Sequence, residues 1–590
     1  MCGNHGCEIA GCVVETAVSR YDIEMKLRCF LIGGVLFGLC VFPLMAQFLA
    51  NPNDRIYEDL RLWEGKGLVR QLPVMRPYPA QLMKEVLERV VRRGNTEDSA
   101  RAREYLEELR KSFTWHAEAG GEGHIEGNRE YADAHIEVQA GGWLTEKAHL
   151  EGRFKGLIMD NTDGFVLPRG ERTSVDIFDT WADMDAAGRK LNLRQSQNVS
   201  FSFGESDLYF QAGIMRNSFG PFWGDGVVLS ADAPHSGHYS FVWRNKWISY
   251  STALLELAAT SYIRPSNAQE ELSAQKFPDK HLAIQSLNFY PAEWLELAYF
   301  ESMVWGNRMD LTYLLPFKEL FYAQSMAAFE DNSFVGIMAD FRVAKTVKIP
   351  FIVYMDDTNL NDLLSFKFGT KFKTATQAGV QWTPEDLGIF KRIAADYVIV
   401  TPYMYTHRSG LTGVPQPGAA TPSGGTYSAA DRLAVLEAPN YNNYTHMGTN
   451  LGVGLDPNSD RLGLQILVEP FRNLRVNLIG RMMRHANASL KMGSAADLGG
   501  SGGRNDGSIY DDGYDSAGDP IFHYKTYFLS QAVIERTYQG GFQAEYSFGL
   551  GPGSVLLAGG YLFEHIRNKD LVSGQNETNH YGNFGIGYRY

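Results

Sequence analysis

The last ten residues, Tyr581-Gly-Asn-Phe-Gly-Ile-Gly-Tyr-Arg-Tyr590, constrain the fold more than any other stretch. Gly582, Phe584, Ile586, Tyr588 and Tyr590 share one side, and Tyr581, Asn583, Gly585, Gly587 and Arg589 the other. This is the period-two alternation of a strand with one oily face and one polar or small face. Left open, such a strand is an aggregation edge, and pairing it with an early strand to close a barrel removes that edge.

The same period governs the chain from Phe113 onward. Ala132, Ala134, Ile136, Val138 and Ala140 alternate with Asp133, His135, Glu137 and Gln139. Ala148, Leu150, Gly152, Phe154 and Ile158 alternate with His149, Glu151, Arg153 and Lys155. One face is apolar, while the other needs water or ion-pair partners. Further hairpins read from Leu462 to Leu478 through Glu469–Asn473, and from Phe542 to Phe563 through Gly551-Pro-Gly553. Strands of about nine to eleven residues suit a tilted bilayer crossing. The connections fall into a short class (290–293, 469–473, 551–553) and a long class (near 160–197, 264–280, 408–444, 486–520 and 567–578). Short inner turns with long outer loops are the outer-membrane pattern.

Upstream, Met25-Lys-Leu-Arg28 opens an apolar run to Phe42, a basic segment followed by a hydrophobic one of secretory length. The expected division is an over-long start at 1–24, a signal peptide at 25–46, a periplasmic helical region at 47–112 and a barrel at 113–590. In the helical region Asp54 is placed to cap a segment bearing Ile56, Leu60 and Trp63. Pro79 starts a second segment ended by Gly94, and Asn95 or Thr96 caps a third. All five cysteines (2, 7, 12, 29, 40) precede the expected cut, so the mature chain has no thiolate metal site and no cysteine nucleophile.

Beyond Ala46 no long apolar run remains and mean hydropathy is −0.25, which excludes a helical membrane protein. The 60 glycines and 13% aromatic residues suit a barrel's bends and interface girdles. A net charge of −13 argues against a nucleic-acid partner. The fold class is therefore an all-β antiparallel transmembrane barrel with a small N-terminal helical region, in contact with outer-membrane lipid.

Catalytic signals are absent. Gly499-Gly-Ser-Gly-Gly503 matches G-x-S-x-G but lies in a loop-like Gly/Ser/Asp stretch, not on a strand-to-helix turn. Asp511, Asp512, Asp515 and Asp519 fit no established calcium-loop spacing, and the fourteen histidines form no helical H-x-x-x-H pair. The reading is of a non-enzyme with no cofactor and no metal.

The richest stretch is Gly213-Ile-Met-Arg216-Asn-Ser-Phe-Gly220-Pro-Phe-Trp223-Gly-Asp225-Gly-Val-Val-Leu-Ser230. Together with Leu287-Asn-Phe-Tyr-Pro291 to Trp305-Gly306, Tyr444-Thr-His446-Met-Gly-Thr-Asn-Leu451 to Asp460, and Asp59-Leu-Arg-Leu-Trp63 to Pro79, it resembles the capsule assembly Wzi family of outer-membrane proteins. That resemblance implies an eighteen-stranded barrel with periplasmic helices, acting as a surface lectin for capsular or other extracellular polysaccharide. The terminal strand, through Phe584, Ile586, Tyr588 and Tyr590, also looks like the signal read by the barrel-assembly machinery. From chemistry alone, Arg216, Trp223, Asp225, Trp243 and Trp305 are candidate glycan contacts, since aromatic faces stack on sugar rings and charged groups bond hydroxyls. A porin-like diffusion channel is the alternative, because residues of both signs either pair across a bore or line a pore.

Overall fold

The protein is seen as a computed structural model that describes residues 49–590 apart from 128, 161–166, 172–178, 187–188, 259–278, 307, 327–330, 357–372, 386, 406–441, 448 and 487–527. The expected signal peptide, all the cysteines, the G-x-S-x-G stretch and the acidic 511–519 stretch lie outside the described residues.

Eighteen antiparallel strands close a barrel. In chain order they are Phe113–Glu126, Arg129–Thr145, Ala148–Asp160, Arg189–Gly204, Leu208–Met215, Ser236–Arg244, Ile248–Ala258, Asp279–Ala292, Leu295–Gly306, Asn332–Ala344, Val347–Asp356, Lys373–Trp382, Phe390–Val400, Ser459–Phe471, Leu474–His485, Glu535–Leu550, Gly553–Arg567 and Asn576–Arg589. Asp179–Ala186 adds a hairpin arm to the strand Arg189–Gly204. The last strand pairs with the first, Glu118 opposite Arg589 and Gly123 opposite Phe584, which is the closure expected of the terminal alternation.

Alternation sorts the faces as expected. Leu150, Phe154, Phe584 and Ile586 are exposed on the outer wall, while Glu151 and Arg153 point into the bore. The turns 145–148, 292–295, 344–347, 471–474 and 550–553 share one end with the first residue of the first strand. At the opposite, long-loop end one connection is nonetheless tight, between Glu126 and Arg129.

Three helices cover the short-turn end: α1 (Arg55–Gly65), α2 (Ala80–Arg93) and α3 (Thr96–Leu109). Their apolar faces meet in a core of Ile56, Leu60, Trp63, Leu82, Val86, Leu87, Val90 and Leu106. Asn95 caps α3 by accepting from the Asp98 N–H at 2.8 Å. Asp54 sits at the N-cap position before Arg55 of α1, but its side chain makes no capping bond, contrary to expectation. Its carboxylate accepts from Arg153 of the barrel wall at 3.0 Å, because a charged partner in a buried setting outcompetes a backbone N–H.

A second insert fills the bore. The connection from Met215 to Ser236 folds inward and lays Phe219, Phe222, Trp223, Val227, Val228 and Leu229 against Phe300, Phe334, Met338, Ile352, Tyr354 and Val398 of the wall. Met75–Arg76, between α1 and α2, pairs antiparallel with Ser218–Phe219, joining the two inserts. The Gly220 N–H donates to the Val74 carbonyl at 3.0 Å, and its φ of +110° is a conformation that favours glycine.

A third segment lies on the outside. Phe300 and Val304 face the bore, so Met303 and Trp305 of the same strand face outward, where residues 308–326 cover them. Tyr313 packs on Trp305 (4.6 Å) and Phe317 stacks on Tyr250 (4.2 Å). Glu301 accepts from the Leu320 N–H (2.7 Å) at the start of helix α4 (Leu320–Met326).

Candidate functional site

At the short-turn end, charge holds the helices to the wall. Asp59 of α1 accepts from Arg101 of α3 (2.8 Å), from the Tyr105 hydroxyl and from Arg475 of the barrel. Glu469 of the barrel accepts from Arg101 (3.1 Å) and Arg475, and Arg475 also reaches Glu58 (3.0 Å). Burial raises the Asp59 carboxyl, but Arg475 and Arg101 outweigh it and hold the group below the usual carboxylate range. Arg342 donates to the Glu64 and Gly65 carbonyls, and Arg244 pairs with Glu85 of α2. The lining charges of both signs, open in the sequence between sealing and conduction, here tie the helices across the bore.

At mid-height the inward fold is latched from both sides. Arg216 donates to the Ala231 (2.9 Å) and Ala233 (3.2 Å) carbonyls, so it braces the fold's own bend. Above it, the Tyr405 and Tyr444 hydroxyls donate to the Val227 (2.6 Å) and Val228 (2.9 Å) carbonyls. Against the wall, Arg461 bridges Asp225 (2.9 Å) and Asp396 (3.4 Å), while Gln377 donates to the Asp225 carbonyl (3.0 Å).

The rest of the bore is polar. Beside the inward fold a pocket of about 80 Å³ is lined by Trp223, Asp225, Asp232, Asp396, Arg461, Gln465 and Arg481. Arg481 also borders a larger cavity, about 360 Å³, whose lumenal lining includes His124, Tyr131, Pro168, Glu171, Gln543, Tyr581 and Asn583. Glu171, from the connection after Asp160, pairs with Arg481, and its neighbour Arg169 pairs with Glu535 (3.1 Å) and Asp570 (2.5 Å). Tyrosine faces, amides, carboxylates and an arginine are the donor set that a sugar's ring faces and hydroxyls take.

Of the five candidate contacts, the structure brings Trp223 and Asp225 to this polar pocket and puts Arg216 behind them as a brace. Trp223 is only 5% exposed and its ring packs on Gly379, where a Cβ would come within 2.8 Å of it. Trp243 faces outward beside the short turn to Ile248, and Trp305 is fully buried under the outer segment, so neither joins the pocket.

Arg461, Asp396, Gln465, Arg481 and Tyr131 were not singled out by the sequence reading. Each is an inward residue of a strand, and the signal was available in the inward polar faces of 390–400, 459–471 and 474–485. On the first two strands Glu122, His124 and Asp133 converge, with ligand atoms within 4.8 Å of one another. They stand where helical histidine spacing gives no hint: two Acid-x-His pairs, Glu122-Gly-His124 and Asp133-Ala-His135, each on one face of its strand.

No protein-family model and no curated protein matches the chain. Among solved structures it is similar to Wzi of Escherichia coli, an outer-membrane protein involved in group 1 capsule assembly and a carbohydrate-binding β-barrel. The identity is 12%, over 92% of this chain and 99% of that one, at a TM-score of 0.50. OprD of Pseudomonas aeruginosa (9% identity, 81% of this chain and 95% of that one, TM-score 0.40) and OccAB2 of Acinetobacter baumannii (9%, 81% and 98%, 0.39) also match. In fold, this chain is an eighteen-stranded barrel of the outer-membrane kind, similar over nearly its whole length to Wzi.

Proposed function

We propose that the protein sits in the bacterial outer membrane with its helices in the periplasm, and holds an extracellular polysaccharide at its long-loop end without cleaving it. The observation that carries this reading is the double obstruction of the bore. Helices tied by Asp59, Arg101, Glu469 and Arg475 cover one end, and the 216–235 fold fills one side, so the remaining cavity, lined by both polar and apolar side chains, is a receptacle and not a through-passage. The likeness to a carbohydrate-binding barrel agrees with it. The segment Phe584–Tyr590 is proposed as the signal read by the barrel-assembly machinery.

The competing reading, a diffusion channel, has the 360 Å³ cavity in its favour. Planar-bilayer conductance and a glycan array on the refolded protein separate the two. The expected result is retention of a surface polysaccharide at millimolar sugar equivalents with no steady current. Arg481→Ala should weaken binding about fivefold, close to 1 kcal/mol, and Trp243→Ala should leave it unchanged. A steady current with no glycan bound would transfer the function to the channel.

A further inference from the structure

The geometry of the first hairpin points to a divalent transition-metal site, which we propose is formed by Glu122, His124 and Asp133, with zinc the best-matched ion. Nε2 of His124 lies 3.5 Å from Oε2 of Glu122 and 3.7 Å from Oδ2 of Asp133. These separations are too long for hydrogen bonds between a ring N–H and a carboxylate, which close to about 2.7–2.9 Å when charged. They approach the roughly 3.3–3.6 Å that separates ligand atoms about 2.0–2.2 Å from a tetrahedral zinc, so small side-chain movements close the set on an ion.

The surroundings fix the set. The His124 ring stacks on Tyr131 at 4.3 Å and 9°, which orients Nε2. His135 is about nine-tenths buried, and its Nδ1 has no hydrogen-bond partner while lying 3.7 Å from the second oxygen of Asp133. It therefore flanks the Asp133 carboxylate without bonding it, and is placed to donate to that carboxylate once Asp133 turns to an ion. Glu118 is occupied by Arg589 at 2.7 Å, which leaves Glu122 and Asp133 as the anionic ligands; Lys155 acts on both electrostatically. One imidazole and two carboxylates favour zinc or a neighbouring first-row ion over calcium, which takes six to eight oxygens. Three protein ligands leave a fourth position for water, and His124 and Tyr131 place the set beside the 360 Å³ cavity. The site stands independently of the glycan reading.

The test uses the full chain folded in detergent, with its thiols alkylated so that Cys2, Cys7, Cys12, Cys29 and Cys40 take no metal. Zn²⁺ alone is titrated against a chromophoric chelator, and Co²⁺ absorption reports the coordination geometry. One Zn²⁺ per chain and the intense visible bands of four-coordinate Co²⁺ are expected. Glu122→Gln and His124→Gln should each weaken Zn²⁺ at least tenfold, and His135→Ala should weaken it less while keeping the Co²⁺ bands. His565→Ala, two strands away with its ring on the Thr578 hydroxyl (2.9 Å), should change nothing. Heat-modifiable migration establishes that each variant is folded, and Glu122→Gln stands as the second variant if the histidine changes do not fold. Absence of a one-to-one Zn²⁺ complex, or Zn²⁺ binding indifferent to both Glu122→Gln and His124→Gln, would overturn the site.

Discussion

The two sides of the bore are built on opposite principles. From Leu295 to Asp356 the strands are mainly apolar on both faces, the inward Asp340 and Lys348 near the short turns being paired with each other at 2.6 Å. Phe300, Phe334, Met338, Ile352 and Tyr354 point in while Leu297, Tyr299, Ile337 and Ile349 point out, and the inward set is covered by the 216–235 fold. From Phe113 to Asp160 and from Glu535 to Arg589 the inward face is Glu118, Glu122, His124, Asp133, Glu137, Arg153, Gln543 and Asn583, interleaved with glycines. A strand with lipid outside and apolar side chains inside must have a protein insert against it, because water there costs about 25 cal/mol per Å² of apolar surface. A strand with charges inside must keep water, ion pairs or a ligand. One barrel thus holds a packed side and an open, charged side, and the candidate sites lie on or beside the second.

Deleting Phe584–Tyr590 should break the open side completely. It removes the shared partner of Phe113–Glu126 and Gly553–Arg567, and neither of these strands has the inward fold to hold it. Loss of heat-modifiable migration is the expected result, and a normally folded truncated protein would mean that the barrel does not close as described.

Asp59→Ala should cost about 1.5–3 kcal/mol, because Arg101 and Arg475 lose one of the two buried carboxylates they share and keep only Glu469 in common. Proteolysis within α1–α3 reads this. Since the Asp59 carboxyl is held below its ordinary value, its contribution is complete above the unfolded carboxylate range near pH 4 and is lost as pH falls through the lower folded value. The helices should stay docked from pH 7 to 5 and release only in stronger acid.

Gly336→Ala sharpens the contrast between the sides. Its Cβ would enter the ring of fully buried Phe300, for a cost of about 1–3 kcal/mol. Gly585→Ala, whose Cβ would press only on the movable Glu122 side chain at 3.2 Å and meet the Ala558 Cβ at an ordinary 3.7 Å, should cost under about 0.5 kcal/mol. Equal thermal shifts would mean that the two sides are packed alike.

The smallest effect concerns the cover of the packed side. His446 accepts from the Ala258 N–H (2.8 Å) and its other nitrogen contacts the His235 carbonyl (2.6 Å), so the neutral ring donates there. Burial brings its pKa down to about 4, against the His235 carbonyl and with help from Lys280. The sign follows: the released loop takes up a proton as pH falls below about 6.5, so this latch weakens between there and 4 and is unaffected above. Hydrogen exchange of residues 442–455 at pH 7 and 4.5 measures it, and His446→Gln should flatten the difference.

Much of the fold was legible because strands and helices announce themselves by period. The inward and outward faces of 148–158, closure of the last strand on an early one and a cap at Asn95 or Thr96 follow from spacing; the structure selects Phe113–Glu126 and Asn95. The inward fold was legible in principle, since Phe351-Ile-Val-Tyr-Met355 is apolar on both faces, yet an apolar run does not say which segment covers it. The candidate contacts show the limit most plainly. Trp223, Trp243 and Trp305 read alike in sequence, but one packs in the bore on Gly379, one faces outward beside a turn, and one lies beneath α4 and its flanks.

By itself the sequence determined that this chain closes a β-barrel and which side of its clearly alternating strands faces outward, because a two-residue period and an unpaired edge are local facts with one economical solution. Only the tertiary structure decided which half of the bore is filled, that Asp54 serves Arg153 instead of its own helix, and that Glu122, His124 and Asp133 meet. Those outcomes depend on residues far apart in the chain competing for the same buried space and the same partners, and no local pattern encodes the winner.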